Sequence, residues 1–195
     1  MVRVKSKFHR QDKPKSIETV AEALGYNSWK IADKTVDNLY GEGFNFKSKA
    51  QILDVVGEFV TFMIQTADRL AYERMNDEQR QRFIGAMANR IIATMVDNLN
   101  DIYGNDSQSV DEYKRTYINK LNERLDHYSE YKFQDGQPAY QALRYFARAV
   151  DSSMGGEDNK WVIEQIIEIE CPELIKTLTK NMDELLAQTE LSREP

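Results

Sequence analysis

Apolar residues recur at intervals of three and four along most of the chain, which is the period of an amphipathic α-helix. The pattern is clearest in residues 47–75 and 83–103, and only a short polar turn around Asn76 separates these two segments. Asn76 and Gln79 have the spacing of a capping box, and Gly104 suits the end of the second helix. A connection of this length predicts an antiparallel hairpin of two long helices. The first of the two is apolar around most of its circumference, which is typical of a buried central helix.

Capping residues and glycines indicate where other helices begin and end. Residues 109–112, with the sequence SVDE, have the spacing of a capping box and predict a helix start. Pro138 suits the first position of the following helix, and Gly155-Gly156 suits its end. In the last segment the apolar phase continues across Pro172, which predicts either one helix kinked there or a break into two helices.

These patterns predict the fold class and the domain organisation. No segment alternates with a period of two, and no repeat of about 20 to 50 residues is present, so we expect an all-α protein. The pattern favours an antiparallel helical bundle of about five long helices, preceded by two short N-terminal helices separated by Gly25. We predict a basic, flexible arm over residues 1–15, a single helical domain over 16–190 and a frayed tail over 191–195.

Charge is distributed unevenly along the chain. Six basic residues and one aspartate give residues 1–15 a net charge of +5, so the remainder carries −11 of the total of −6. An acidic body argues against a nucleic-acid-binding surface, because phosphate binding needs positive charge. No apolar run approaches the roughly 20 residues of a membrane helix, and the N-terminus lacks an apolar signal core. We therefore expect a cytoplasmic protein of bacterial type.

The chain has one cysteine, Cys171, which excludes an internal disulfide and a thiolate metal cluster. The Walker, GxSxG, HExxH and GxGxxG motifs are missing, as is the Glu-x-x-His motif of di-iron bundles. Carboxylates recur at helical spacing, for example Asp54 with Glu58, and we expect them to lie on the solvent-exposed face of a helix. The sequence therefore predicts no catalytic residue, no metal and no cofactor. An enzyme would need a polar cavity near His127 or between the two central helices.

Several short motifs lie between residues 20 and 53: Gly25-Tyr26, Ile31-Ala32, Leu39-Tyr40, Phe46, Ser48-Lys49 and Ile52-Leu53. This stretch partly resembles the N-terminal domain of the tetracycline-repressor-like regulators. The resemblance implies a ligand-responsive, DNA-binding regulator with a helix-turn-helix. Nucleic-acid contacts would then come from four basic residues, Lys30, Lys34, Arg10 and Lys13.

The spacing of these motifs departs from the family pattern. Only residues 33–38 separate the Ile-Ala pair from the Leu-Tyr pair, which is too few for a turn and a recognition helix. In the presumed reading helix, Lys30 and Lys34 are balanced by Asp33 and Asp37. The helix-turn-helix would therefore be degenerate, and a DNA-binding regulator remains the alternative function.

Tyrosines cluster in the middle third of the chain, in greater number than one narrow apolar stripe needs. Tyrosine is enriched at protein interfaces. We therefore predict a helix face for self-association, or for binding of a protein partner, that includes Tyr131, Tyr145, Tyr128 and Met95. The wide apolar stripe of residues 52–71 and the long C-terminal helix favour a homodimer. The sequence favours a non-catalytic helical-bundle protein that acts through protein–protein interaction or self-association.

Overall fold

The computed structural model describes residues 14–104, 106–156, 159 and 161–189, and these are mostly helical, as the all-α prediction requires. The helices are α1 (Ile17–Gly41), α2 (Lys49–Tyr72), α3 (Asp77–Tyr103), α4 (Ser107–Ser129), α5 (Tyr140–Met154), α6 (Val162–Gln165) and α7 (Cys171–Leu186). A π-helical segment, Ile166–Glu170, joins α6 to α7. The strands β1 (Phe133–Gln134) and β2 (Gln137–Pro138) form a small antiparallel hairpin between α4 and α5.

The N-terminal segment forms one helix of 25 residues, so the prediction of two short helices was wrong. Ser16 caps α1 by accepting a hydrogen bond from the Thr19 backbone N–H, and the helix continues through Gly25 without a turn. Gly25 lies where α1 packs on α3, and a Cβ added there would be 2.8 Å from the Met87 carbonyl oxygen. Glycine weakens a helix by only about 1 kcal/mol relative to alanine. Close packing against α3 compensates for that loss.

Helix α2 is the central helix, as its apolar circumference predicts. Every residue from 55 to 64 is buried, and α2 contacts α1, α3, α4, α5 and α7. Its Phe62 ring stacks on the Phe146 ring of α5 with centroids 4.3 Å apart, and Phe59 meets Phe146 edge to face at 5.1 Å. Such aromatic pairs add to the stabilisation that comes from burying their apolar surface.

Two helix starts test the capping predictions. Asn76 and Gln79 form the predicted capping box at the start of α3, with each side chain accepting from the other's backbone N–H. Helix α4, in contrast, already begins at Ser107, so the capping box predicted for residues 109–112 was wrong. The Ser109 hydroxyl instead donates to the Asp106 carboxylate at 2.7 Å, within the first turn.

The structure tests the predictions for Pro138 and Pro172. Pro138 pairs with Phe133 in the β-hairpin, and α5 begins only at Tyr140, so Pro138 does not open that helix. Pro172 lies in the first turn of α7, and the helical backbone continues past it. The π-helical segment directly before it changes the hydrogen bonding, since the Cys171 N–H donates to the Ile166 carbonyl five residues back.

Candidate functional site

A carboxylate is buried on α2, under the cover of α4. Glu58 is only 1% exposed, although its spacing from Asp54 favoured a solvated face. That interpretation was wrong for Glu58, because the side chains of α4 enclose it. A buried carboxylate is stable only when cations and hydrogen bonds replace its lost hydration.

Two cations of α4 supply that compensation. Arg124 Nε donates to Glu58 Oε2 at 3.0 Å, and Arg124 Nη2 donates to Oε1 at 3.1 Å. Lys120 Nζ lies 2.7 Å from the same Oε1. Because Lys120 and Arg124 are four residues apart on a helix, both project from one face of α4 towards α2. The Ser153 hydroxyl of α5 completes the shell at 3.5 Å.

The arrangement keeps Arg124 charged. Desolvation alone would lower the pKa of Arg124, but the hydrogen bond and the charge of Glu58, together with the hydroxyl of Tyr145, raise that pKa above its usual range. A guanidinium in this state stays protonated near neutral pH. The pair therefore suits a fixed structural or binding role better than acid–base chemistry.

Arg124 also positions a group of aromatic side chains. Its Nη1 donates to the Tyr145 hydroxyl at 2.9 Å, and its guanidinium lies 5.3 Å from the centroid of the Tyr145 ring. Around that ring lie His127 at 5.4 Å, Tyr128 at 5.1 Å and Tyr131 at 5.8 Å between centroids. His127 is exposed, and Tyr131 and Tyr145 are partly exposed. We call these three side chains the aromatic patch.

The structure brings three of the four predicted interface residues together. Tyr131 and Tyr145 lie in the aromatic patch, while Tyr128 packs directly beneath it and is 2% exposed. Met95 lies elsewhere, buried on α3 near Gly57 of α2. Burial makes Tyr128 and Met95 part of the core of the chain, so neither side chain is available to a partner. Tyr131 and Tyr145 stay predicted interface residues.

Sequence reasoning did not identify Glu58, Lys120 or Arg124 as a group. The Glu58–Arg124 contact spans 66 residues of sequence, and no short motif encodes it. One local signal was present: Glu58 interrupts the apolar run from Val55 to Ile64, where a lone carboxylate must find a partner if the run is buried on all sides.

The residues of the DNA-binding alternative are only partly covered by the structure. Lys30 and Lys34 are exposed on α1, with Asp33 and Asp37 exposed among them. Arg10 and Lys13 lie outside the described residues. Because α1 is continuous from Ile17 to Gly41, this segment does not contain the turn that a helix-turn-helix requires.

The described part of the chain was predicted to hold no metal site, and its one cysteine is buried. Within residues 14–104, 106–156, 159 and 161–189, no group of three or more His, Cys, Asp or Glu side chains is placed to hold a metal ion. Cys171 is buried, and burial together with the nearby Glu170 raises the pKa of its thiol, which favours the unreactive protonated form.

Comparison of the chain with protein-family models, with curated proteins and with solved structures finds no match. Of the helices in the described residues, none is long and apolar enough to cross a membrane.

Proposed function

We propose that this chain is a non-catalytic, cytoplasmic interaction protein, built as an antiparallel helical bundle, which forms a homodimer through the aromatic patch. One observation carries the proposal. Tyr145 is held at the surface by Arg124, which is itself bound to the buried carboxylate of Glu58. The patch is thus a set of partly exposed aromatic rings fixed in place before any partner arrives.

Fixed aromatic rings favour association for an energetic reason. Ordering a flexible side chain on binding costs about 0.5–1.5 kcal/mol, and a side chain that is already held loses less. Tyrosine is also among the residues that contribute most to binding energy at interfaces. Contacts of Tyr145 with Arg124, His127 and Tyr131 restrict its ring before association.

The charges around the patch are compatible with a second copy of the chain as the partner. Residues 120–132 contain three basic and three acidic side chains: Lys120, Arg124 and Lys132 against Glu123, Asp126 and Glu130. Because Lys120 and Arg124 also bind the buried Glu58, the local net charge is −1. A two-fold interface places the same surface on both subunits, so a patch with a surplus of one sign would repel itself. A local net charge of only −1 on each subunit keeps that repulsion small.

Two observations support an antiparallel arrangement of the helices. Only residues 73–76 connect α2 to α3, and a connection this short favours antiparallel neighbours. The start of α1 lies beside the end of α7: the backbone N–H of Lys15, just before α1, donates to Gln188 O, just after α7, at 2.9 Å. Further along, Asn27 of α1 contacts Asn181 of α7 at 3.4 Å, so the two helices run in opposite directions.

Sedimentation velocity over a range of micromolar concentrations tests the homodimer. The wild-type chain is expected to sediment as a dimer whose dissociation constant can be measured. Tyr131→Ser and Tyr145→Ser should shift it towards monomer. Tyr40→Ser is the matched control, since Tyr40 is 69% exposed on a different helix and lies outside the patch. This control should leave the dissociation constant unchanged.

Circular dichroism of each variant shows whether the helical content is retained, so that loss of the dimer is not confused with unfolding. A wild-type chain that remains monomeric at all concentrations would overturn the homodimer. If Tyr40→Ser weakens the dimer as much as the patch variants do, the aromatic patch is not the interface.

A further inference from the structure

A second feature of the surface is a groove with a volume of about 270 Å³ between α1, α2 and α3. Its floor is apolar and comes from side chains that are buried or nearly so, among them Trp29, Leu53 and Val56. It lies on helices other than α4 and α5, which carry the aromatic patch. Ligand sites are typically concave and apolar, with a small number of polar groups that fix orientation, and this volume is near the lower end of their range.

Three charged residues line the groove: Asp33 of α1, Asp101 of α3 and Lys49 of α2. Within the part of the chain that the structure describes, the carboxylates of Asp33 and Asp101 have no hydrogen-bond or ion-pair partner. The fold therefore does not use these carboxylates to hold its helices together. Two carboxylates and one ammonium give the lining a net charge of −1.

The surroundings of Asp33 also favour a cation. Desolvation raises the pKa of Asp33, and the negative charge of Asp37 one turn further along α1 raises it further. A bound cation would offset both effects, because it stabilises the charged form of the carboxylate. Asp101 lies in the last turn of α3, where the carbonyl end of the helix likewise attracts positive charge.

We propose that this groove binds a small organic cation, with an ammonium group at Asp33 and Asp101 and an apolar body on Trp29, Leu53 and Val56. The volume fits a ligand built on a single aromatic ring. Such an ammonium group could belong to a simple amine or to an amino acid. An amino acid adds a carboxylate, for which Lys49 at the N-terminal end of α2 is the matching cation.

The two tryptophans of the chain allow a direct measurement. Trp29 lines the groove, and Trp161 is 75% exposed and does not. In a Trp161→Phe variant the fluorescence therefore comes from Trp29 alone. Titration with phenethylamine should give a saturable change in this emission. 2-Phenylethanol, which has the same apolar body without the charge, should bind about twofold to fivefold more weakly, as expected for a partly exposed ion pair.

Substitution of the carboxylates tests their role. In the same background, Asp33→Asn and Asp101→Asn should each weaken the binding of phenethylamine by a similar factor. The affinity for 2-phenylethanol should not change. Asp97→Asn is the matched control, because Asp97 is exposed on α3 one turn before Asp101 and does not line the groove. It should leave the affinity for phenethylamine nearly unchanged.

Phenylalanine serves as a third probe. If it binds more tightly than phenethylamine, the occupant is an amino acid; if it binds more weakly, the occupant is a simple amine. Three results would overturn the site: no saturable emission change with phenethylamine or phenylalanine, equal affinity for the amine and the alcohol, or full affinity for the amine in both aspartate variants that remain folded by circular dichroism.

Discussion

Arg124 donates two hydrogen bonds to the carboxylate of Glu58, and this contact fixes α4 to the central helix α2. The residues differ in exposure, since Glu58 is 1% exposed and the Arg124 side chain 21%. Water thus reaches only the outer side of the pair. The contact serves two purposes: it neutralises a buried charge, and it positions Tyr145 at the surface.

Arg124→Ala is expected to lower the free energy of unfolding by about 3 kcal/mol. Removing one partner of a buried ion pair costs about 3–5 kcal/mol, and both the partial exposure of Arg124 and the remaining Lys120 place this variant at the lower end. Urea unfolding followed by circular dichroism measures the loss. Lys120→Ala should cost less, because Glu58 keeps both hydrogen bonds from Arg124.

The double variant Glu58→Leu/Arg124→Leu tests whether the stability lost in Arg124→Ala comes from leaving Glu58 buried without its partner. It removes both charges together, so most of the stability lost in Arg124→Ala should return. If the double variant is less stable than Arg124→Ala, desolvation of Glu58 does not account for the loss.

Gly25→Ala and Gly85→Ala should have opposite effects, although both glycines are inside helices. At Gly25 a new Cβ would lie 2.8 Å from Met87 O and 3.2 Å from Arg90 Cβ, so α1 and α3 would have to move apart. We expect a loss of about 1–3 kcal/mol. At Gly85 nothing lies within 4 Å, and alanine should stabilise α3 by about 0.5–1 kcal/mol. Thermal unfolding of the two variants beside wild type distinguishes them.

The contribution of Glu170 to stability should fall as pH rises above the ordinary glutamate pKa of 4.5. Burial raises the pKa of Glu170; the hydrogen bond from Gln165 opposes this, and the charge of Glu42 adds to it. A carboxyl whose pKa is higher in the folded state binds its proton more tightly there, so its contribution is lost as pH rises through the folded pKa. Glu170→Gln should therefore gain stability over wild type as pH rises from 4 to 7.

Urea unfolding at several pH values gives that difference directly. Glu168→Gln is the control, since Glu168 is exposed in the same π-helical segment. A stability difference between Glu170→Gln and wild type that stays constant across this range would argue against titration of Glu170.

Cys171 should react with a thiol reagent only when the protein opens. Its side chain is fully buried, and the raised pKa keeps the thiol protonated. At pH 8 the native protein should label slowly, and addition of urea through the unfolding transition should bring labelling to the rate of a free thiol. Fast labelling of the native protein would show that α7 opens locally.

The sequence predicts the helices whose signals are local and consistent. In α3, for example, the apolar stripe, the Asn76–Gln79 capping box and Gly104 all indicate the same boundaries, and the structure follows them. At Gly25 and at residues 109–112 the local signal is a single motif. There the packing of α1 on α3, and the Ser109–Asp106 hydrogen bond, decide the outcome.

The candidate sites are less accessible to sequence reasoning. Tyr131 and Tyr145 lie off the main apolar stripes of the sequence, and both are partly exposed. Glu58 and Arg124, in contrast, meet only after α4 has packed on α2. The groove at Trp29 needs three helices at once, so no window of the sequence contains it.

The π-helical segment Ile166–Glu170 affects how the chain tolerates changes in length. A turn closed by hydrogen bonds five residues apart holds more residues than an α-helical turn. Loss of one residue here, such as the exposed Ile169, would let the segment become α-helical while Val162 and Leu174 still face the core. The same deletion in the middle of α2 would rotate every later side chain of that helix by about 100°.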